Sequence, residues 1–164
     1  MSAEGLPIVF DTVVLSNFAA SESIDWLCSR FCTPRTVAAV ERELRRGQAE
    51  GYTFVERAID RLGEEIVVVE ADEATIERFA ERVDSGEAEA LAAAIRFDGV
   101  VATDDMAARE LARERDVSFT GSVGILADGV HRDELDVETA DRWLSEWVRI
   151  AGYHSPIETV EELL

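Results

Sequence analysis

A small set of carboxylates stands out by position. Asp11 follows the apolar run Ile8-Val9-Phe10 and precedes a helix-like segment; Asp104 and Asp105 follow Val100-Val101-Ala102-Thr103 in the same way. At the C-terminal rim of an open parallel sheet, two adjacent strand ends bring such residues to one crevice. Glu41 lies in a helical pattern beside the stripe Val37, Val40 and Leu44, with Glu43 on the stripe's far border. Glu87 and Glu89 open a segment that is otherwise small and apolar, Ala88 to Ile95. Acids gathered this way suit metal-assisted hydrolysis of phosphodiesters. Mg²⁺ takes oxygen ligands and keeps several waters, so one or two direct carboxylates suffice while others hold water. Two such ions about 3.5–4 Å apart activate the attacking water and stabilise the leaving oxygen. That chemistry needs no histidine or cysteine.

Each acid also has a local structural reading. Asp11 and Asp104 stand where an aspartate caps the following helix. Glu41 is placed for an i, i+4 ion pair with Arg45, worth about 0.3–0.5 kcal/mol. Asp84-x-x-Glu87 has the spacing of a capping box, and the helix dipole favours acids in that first turn.

The elements that must position these residues alternate. Strands are expected at Leu6–Phe10, Glu65–Val69, Val100–Thr103 and Val117–Thr120, with Phe31–Thr33 a short strand or loop. Helices are expected at Thr12–Phe18, Ile24–Leu27, from Thr33 (cap) and Pro34 (first turn) to Arg46, and at Glu50–Arg61. Further helices are expected from the Asp72 cap to Val83, and over Ser85–Phe97, Asp105–Arg115, Gly121–Gly129 and Val137–Ile150. A short helical tail follows within Ser155–Leu164. Strands alternating with helices, without hairpin signals, predict an α/β fold with a mostly parallel sheet of four or five strands covered on both faces. One domain over residues 1–164 is expected, with the segment 136–164 packing on the core. The Trp143/Trp147 face is expected to seal that core, with a dimer surface as the other reading.

Composition narrows the classes. The 164 residues carry 35 Asp and Glu against 16 basic residues, all of them Arg, for a net charge of −19. At 47% hydrophobic residues the chain is still expected to fold. At molar salt the Debye length falls to about 3 Å and the self-repulsion is screened. The charge therefore predicts a salt-rich cytoplasm, as in proteins of halophilic archaea, rather than a basic partner. The absence of Lys excludes a P-loop and a Schiff-base mechanism. Cys28 and Cys32 lack metal-ligand spacing to His131 or His154 and are expected as buried free thiols. Met1–Gly5 lacks the start of a signal peptide, and no apolar run approaches the roughly 20 residues of a membrane span. A cytoplasmic location without membrane contact is expected.

Taken in order, these segments resemble the PIN-domain family, which includes the VapC-like ribonuclease toxins. The resemblance rests on Asp11-Thr12-Val13-Val14-Leu15-Ser16-Asn17-Phe18, on Pro34 with Val40-Glu41, on Gly86-Glu87-Ala88-Glu89-Ala90-Leu91, and on Thr103-Asp104-Asp105 with Ala108-Arg109. Thr120-Gly121-Ser122-Val123-Gly124-Ile125-Leu126 and Gly152-Tyr153-His154-Ser155 extend it over nearly the whole chain. It departs from the family in having Glu for the commoner third Asp, with Glu87 and Glu89 both placed for the role, and Ser122 where Thr is usual. The resemblance implies a three-layer α/β/α fold and an Mg²⁺- or Mn²⁺-dependent endoribonuclease, with the toxin of a toxin–antitoxin pair as one form it takes. It implies Asp11, Glu41, Glu87 and Asp105 as catalytic metal ligands, with Asp104 beside them. It gives Ser122 or Asn17, with Glu89, a supporting role, and offers Arg109 as an RNA contact or an ion-pair partner of a pocket acid. Arg42, Arg45 and Arg46 form a local basic cluster for RNA. RNA, an antitoxin protein and a second copy of the chain are the expected partners. A non-catalytic module of the same fold, binding RNA or protein, is the alternative. A phosphatase with Asp at its strand ends is disfavoured, because Asp11 is followed by Thr12-Val13 rather than by a second Asp, and no Lys is present.

Overall fold

The computed structural model describes residues 5–164; the reading of the leader concerns Met1–Gly5 and so lies almost wholly outside them. Five strands form one sheet: β1 (Ile8–Phe10), β2 (Pro34–Val37), β3 (Val67–Val69), β4 (Val100–Ala102) and β5 (Phe119–Thr120). All pairings are parallel, and the order is β3-β2-β1-β4-β5. Phe10 is in register with Ala102, so Asp11 and Thr103 leave the sheet side by side. The strand order reverses between β1 and β4, the place where open α/β sheets bind ligands.

Helices cover both faces in a three-layer α/β/α arrangement. They are α1 (Thr12–Ala20), α2 (Ile24–Arg30), α3 (Ala38–Ala49), α4 (Glu56–Ile59), α5 (Glu73–Phe79), α6 (Ser85–Arg96), α7 (Met106–Glu114), α8 (Ser122–His131) and α9 (Val137–Glu146). Helix α6 is buried along most of its length, through Gly86, Ala88 and Ala90 to Ala94, as its small apolar sequence requires. Among the described residues, no helix is long and apolar enough to cross a membrane.

The structure moves three expected boundaries. Thr33-Pro34 does not start a helix: Pro34–Val37 is β2, paired with both β1 and β3. Proline's fixed φ also suits the first residue of a strand, where its missing N–H costs no ladder bond. The helix begins only at Ala38. The expected helix over Glu50–Arg61 is broken by Gly51 at φ +103°, followed by a 3₁₀ turn at Thr53–Val55 and the short α4. Helix α9 ends in a π turn at Trp147–Ala151, closed by Gly152 in the left-handed region.

Trp147 is fully buried. Its ring packs edge-on to Phe18 at 4.9 Å, and its Nε1 donates to Ser21 Oγ at 2.9 Å. Trp143 stacks edge-on to Trp26, so the tryptophan face seals the core. Cys28 and Cys32 are free. Burial pushes the Cys28 thiol up to about 11, whereas Cys32 is exposed because the chain bends between α2 and β2.

Candidate active site

Asp11 is the N-cap of α1, held where β1 ends. Its Oδ1 accepts from Thr12 N at 2.8 Å and its Oδ2 from Thr103 Oγ1 at 3.0 Å. It is 4% exposed. Burial raises its pKa to about 7, against the two hydrogen bonds, and Asp84 and Glu43 push the same way through their charge.

Thr103 joins the two strand ends. Besides its bond to Asp11, its Oγ1 accepts from Asp105 N at 3.2 Å, and its carbonyl accepts from Arg109 Nε at 2.9 Å. Asp105 caps α7 through Ala108 N at 2.8 Å. Asp104 turns the other way. Ser122 donates to it twice, from its backbone N to Oδ1 at 2.8 Å and from its Oγ to Oδ2 at 2.5 Å. Asn17 Nδ2 donates to Ser122 Oγ at 3.0 Å, so α1 and α8 together fix Asp104. Ser122 and Asn17, expected to orient a ligand or the scissile phosphate, are here bonded to each other, with Ser122 bonded to Asp104.

Glu87 is the third residue of α6 in a complete capping box with Asp84. Both readings of it hold at once, because its half-buried carboxyl also lines the crevice. Its pKa is raised to about 8, first by burial, then by the charge of Asp11, with Asp84 and Asp105 adding to it. Glu89 does not reach the crevice; it lies near Arg42, at 3.9 Å.

Glu41 is displaced from its expected place. It pairs with Arg45, Oε2 to Nη2 at 2.8 Å, and the acid of α3 that lines the crevice is Glu43. The physical reason is the helix start. Val37 belongs to β2, so it does not mark the buried face of α3; Ala39, Val40 and Leu44 do. At 100° per residue Glu43 lies about 40° from the centre of that face and Glu41 about 120°. Thr12 Oγ1 donates to Glu43 Oε2. A Cβ at Gly86 would stand 2.7 Å from Glu43 Oε1, so the glycine before Glu87 makes room for the acid of α3.

Arg109 faces inward. Its Nη2 lies 3.6 Å from Asp104 Oδ1 and its guanidinium 5.6 Å from the Phe119 ring. Of the two roles offered for it, the geometry shows the ion pair with a pocket acid. Arg42, Arg45 and Arg46 are exposed on α3, with Arg45 engaged by Glu41.

Asp11, Glu43, Glu87, Asp104 and Asp105 thus line one crevice of about 530 Å³. Sequence reading missed Glu43 and the coupling role of Thr103. It also missed the crevice's other wall, where Tyr52, Phe54, Tyr153 and His154 stand. A repeated Gly-Tyr pair, at 51–52 and 152–153, was the available signal.

Among the described residues, no three His, Cys, Asp or Glu side chains stand close enough together to grip an ion as they are placed. The donor set nonetheless fits a hard divalent cation. Asp11, Glu43, Glu87, Asp104 and Asp105 offer it carboxylate oxygens, with the His154 imidazole in the same lining, and Mg²⁺ keeps waters between itself and such groups. Burial first, and neighbouring negative charge second, raise the pKa values of Asp11 and Glu87, and a bound cation would favour their ionised forms.

The family model DUF3368, described as a PIN domain, matches residues 7–164. No curated protein matches the chain.

Proposed function

This chain belongs to the PIN-domain family, a nuclease-like fold, and on that premise we propose that it is a divalent-metal-dependent endoribonuclease. The observation that carries the reading is the convergence of Asp11, Glu43, Glu87, Asp104 and Asp105 on one crevice at the β1/β4 switch point. Asp11, Glu87 and Asp105 would hold Mg²⁺ or Mn²⁺ directly or through water, with Glu43 and Asp104 completing the acidic wall. When bound, such an ion lowers the pKa of water and neutralises charge on a phosphodiester.

The protein's own part is positional. Thr12 and Thr103 fix both oxygens of Asp11. Ser122 fixes both oxygens of Asp104. In this reading the scissile phosphate lies against these groups, and Glu87 would hold the ion as its ionised carboxylate or orient a water bound to it. Exposed Arg42 and Arg46 offset part of the acidic field along the RNA backbone. In this reading RNA is the substrate, and a protein that covers the crevice would serve as an antitoxin.

The test is cleavage of single-stranded and structured RNA with Mn²⁺ in molar KCl, wild type against Asp11→Asn. Cleavage lost in the variant supports the reading; equal cleavage by both assigns the activity to a contaminant.

A further inference from the structure

The crevice lining is not all acidic. Beside the carboxylates it carries a wall of Val13, Tyr52, Phe54, Ala151 and Tyr153, with the imidazole of His154 next to them. Two glycines build that wall. Gly51, at φ +103°, ends α3 and turns Tyr52 into the crevice, with Tyr52 N donating to Gly47 O at 3.0 Å. Gly152, at φ +70°, ends the π turn and sends Tyr153 to the same crevice, with Tyr153 N donating to Trp147 O at 3.1 Å. Glycine takes such a φ without strain. Buried Trp147 packs edge-on against the Tyr153 ring at 5.8 Å and anchors it from behind. Tyr52 is 55% exposed with its ring edge-on to Phe54, and Val13 is 45% exposed. Apolar surface left open beside a catalytic centre marks a place for a ligand group.

We propose that this wall is a nucleobase subsite: it stacks one unpaired base of the RNA next to the phosphate held by the acids. The inference rests on the nuclease reading above and names the side chains that would receive one base of its RNA. The wall shares one crevice with the carboxylates, so its occupant must be joined to whatever the acids hold. An uncharged, flat group attached to a phosphate is a nucleoside. The volume, about 530 Å³, lies within the roughly 300–1,000 Å³ of small-ligand pockets. On the far side, Glu87 and Asp105 also line a second, polar depression with Arg82 and Asp84, which leaves a path for the rest of the chain. Stacking depends little on salt. It therefore supplies affinity where an acidic protein in high salt gains little from phosphate contacts.

The test uses a short fluorescent RNA, a copy with an abasic site at each position in turn, and the full chain in molar KCl. Binding is read by anisotropy, with Mn²⁺ titrated separately into each protein. Tyr52→Ala is expected to weaken RNA binding about 5- to 150-fold, the effect of losing one stacked base. Tyr52→Trp should restore it, and Mn²⁺ affinity should stay at the wild-type value. An abasic site at one position should erase the difference between Tyr52→Ala and wild type. Cleavage and Mn²⁺ binding intact, with RNA affinity indifferent to Tyr52, would overturn the subsite and leave the nuclease standing. Neither Mn²⁺ nor RNA bound by the wild type would overturn both. A dimer by sedimentation that falls apart in Tyr52→Ala would give the wall to a second copy of this chain and overturn the subsite.

Discussion

Ser122 meets Asp104 with two donors at once, a backbone N–H to one carboxylate oxygen and a hydroxyl to the other, at 2.8 and 2.5 Å. Asp104 is thereby held by the first turn of α8, and Asn17 holds the serine from α1. Removing the hydroxyl frees one oxygen of Asp104 and strands the Asn17 amide. Ser122→Ala is expected to lower RNA cleavage about 10- to 100-fold, the usual scale for losing a group that orients a ligand. Its destabilisation should be about 1–3 kcal/mol by urea unfolding. Ser122→Thr, which keeps the hydroxyl, should retain activity.

Glu43 and Glu41 sit two residues apart on α3 with opposite surroundings. Glu43→Gln is expected to weaken Mn²⁺ binding and cleavage at least about 10-fold. Glu41→Gln removes only a surface pair worth about 0.3–0.5 kcal/mol and should leave both unchanged. Calorimetric titration of the two variants side by side reads the difference.

Gly86 gives a variant that should separate shape from chemistry. A methyl group there would meet the Glu43 carboxyl at 2.7 Å, the far end of a flexible side chain that moves aside at little cost. Gly86→Ala is therefore expected to keep its melting temperature within a few degrees while cleavage drops about 10- to 100-fold. Equal activity would mean that the position of Glu43 is unimportant.

Burial and neighbouring charge raise Asp11 to about 7 and Glu87 to about 8. In the metal-free protein both carboxyls stay protonated in the folded state over a range where the unfolded chain has lost those protons. Their contribution to stability is complete below about pH 4 and is lost as the pH rises through about 7 to 8. Metal-free protein in molar salt should thus melt lower at about pH 8.5 than at about pH 5. Asp11→Asn should flatten the dependence, and saturating Mn²⁺ should remove it by binding the ionised forms. Thermal melts across pH, with and without Mn²⁺, measure all three.

Much of this site was legible because its residues sit at strand ends. An apolar run followed at once by an acid is local in sequence, and Asp11, Asp104 and Asp105 do follow the ends of β1 and β4 and line one crevice. Glu87 was equally local, through the spacing of its capping box. Glu43 was not. The choice between Glu41 and Glu43 turned on whether Val37 belonged to a strand or a helix, and pairing with β1 and β3 decides that. Thr103 and Ser122 form contacts across 92 and 18 residues, which no local pattern encodes. The Tyr52 and Tyr153 wall joins two helix ends a hundred residues apart in the chain, visible only once α3 and the π turn after α9 are folded together. Expected strands and helices alternated as observed, and the errors lay at boundaries where proline and glycine serve more than one element.

The central claim is that Asp11, Glu87 and Asp105 hold a divalent cation within the acidic crevice, and Mn²⁺ calorimetry at about pH 8 in molar KCl tests it most directly. Wild type should bind Mn²⁺, and Asp11→Asn, shown by circular dichroism to be folded, should bind it at least about 10-fold more weakly. Binding unaltered by that substitution, or no binding by the wild type at about millimolar Mn²⁺, would contradict the account and leave these acids as helix caps.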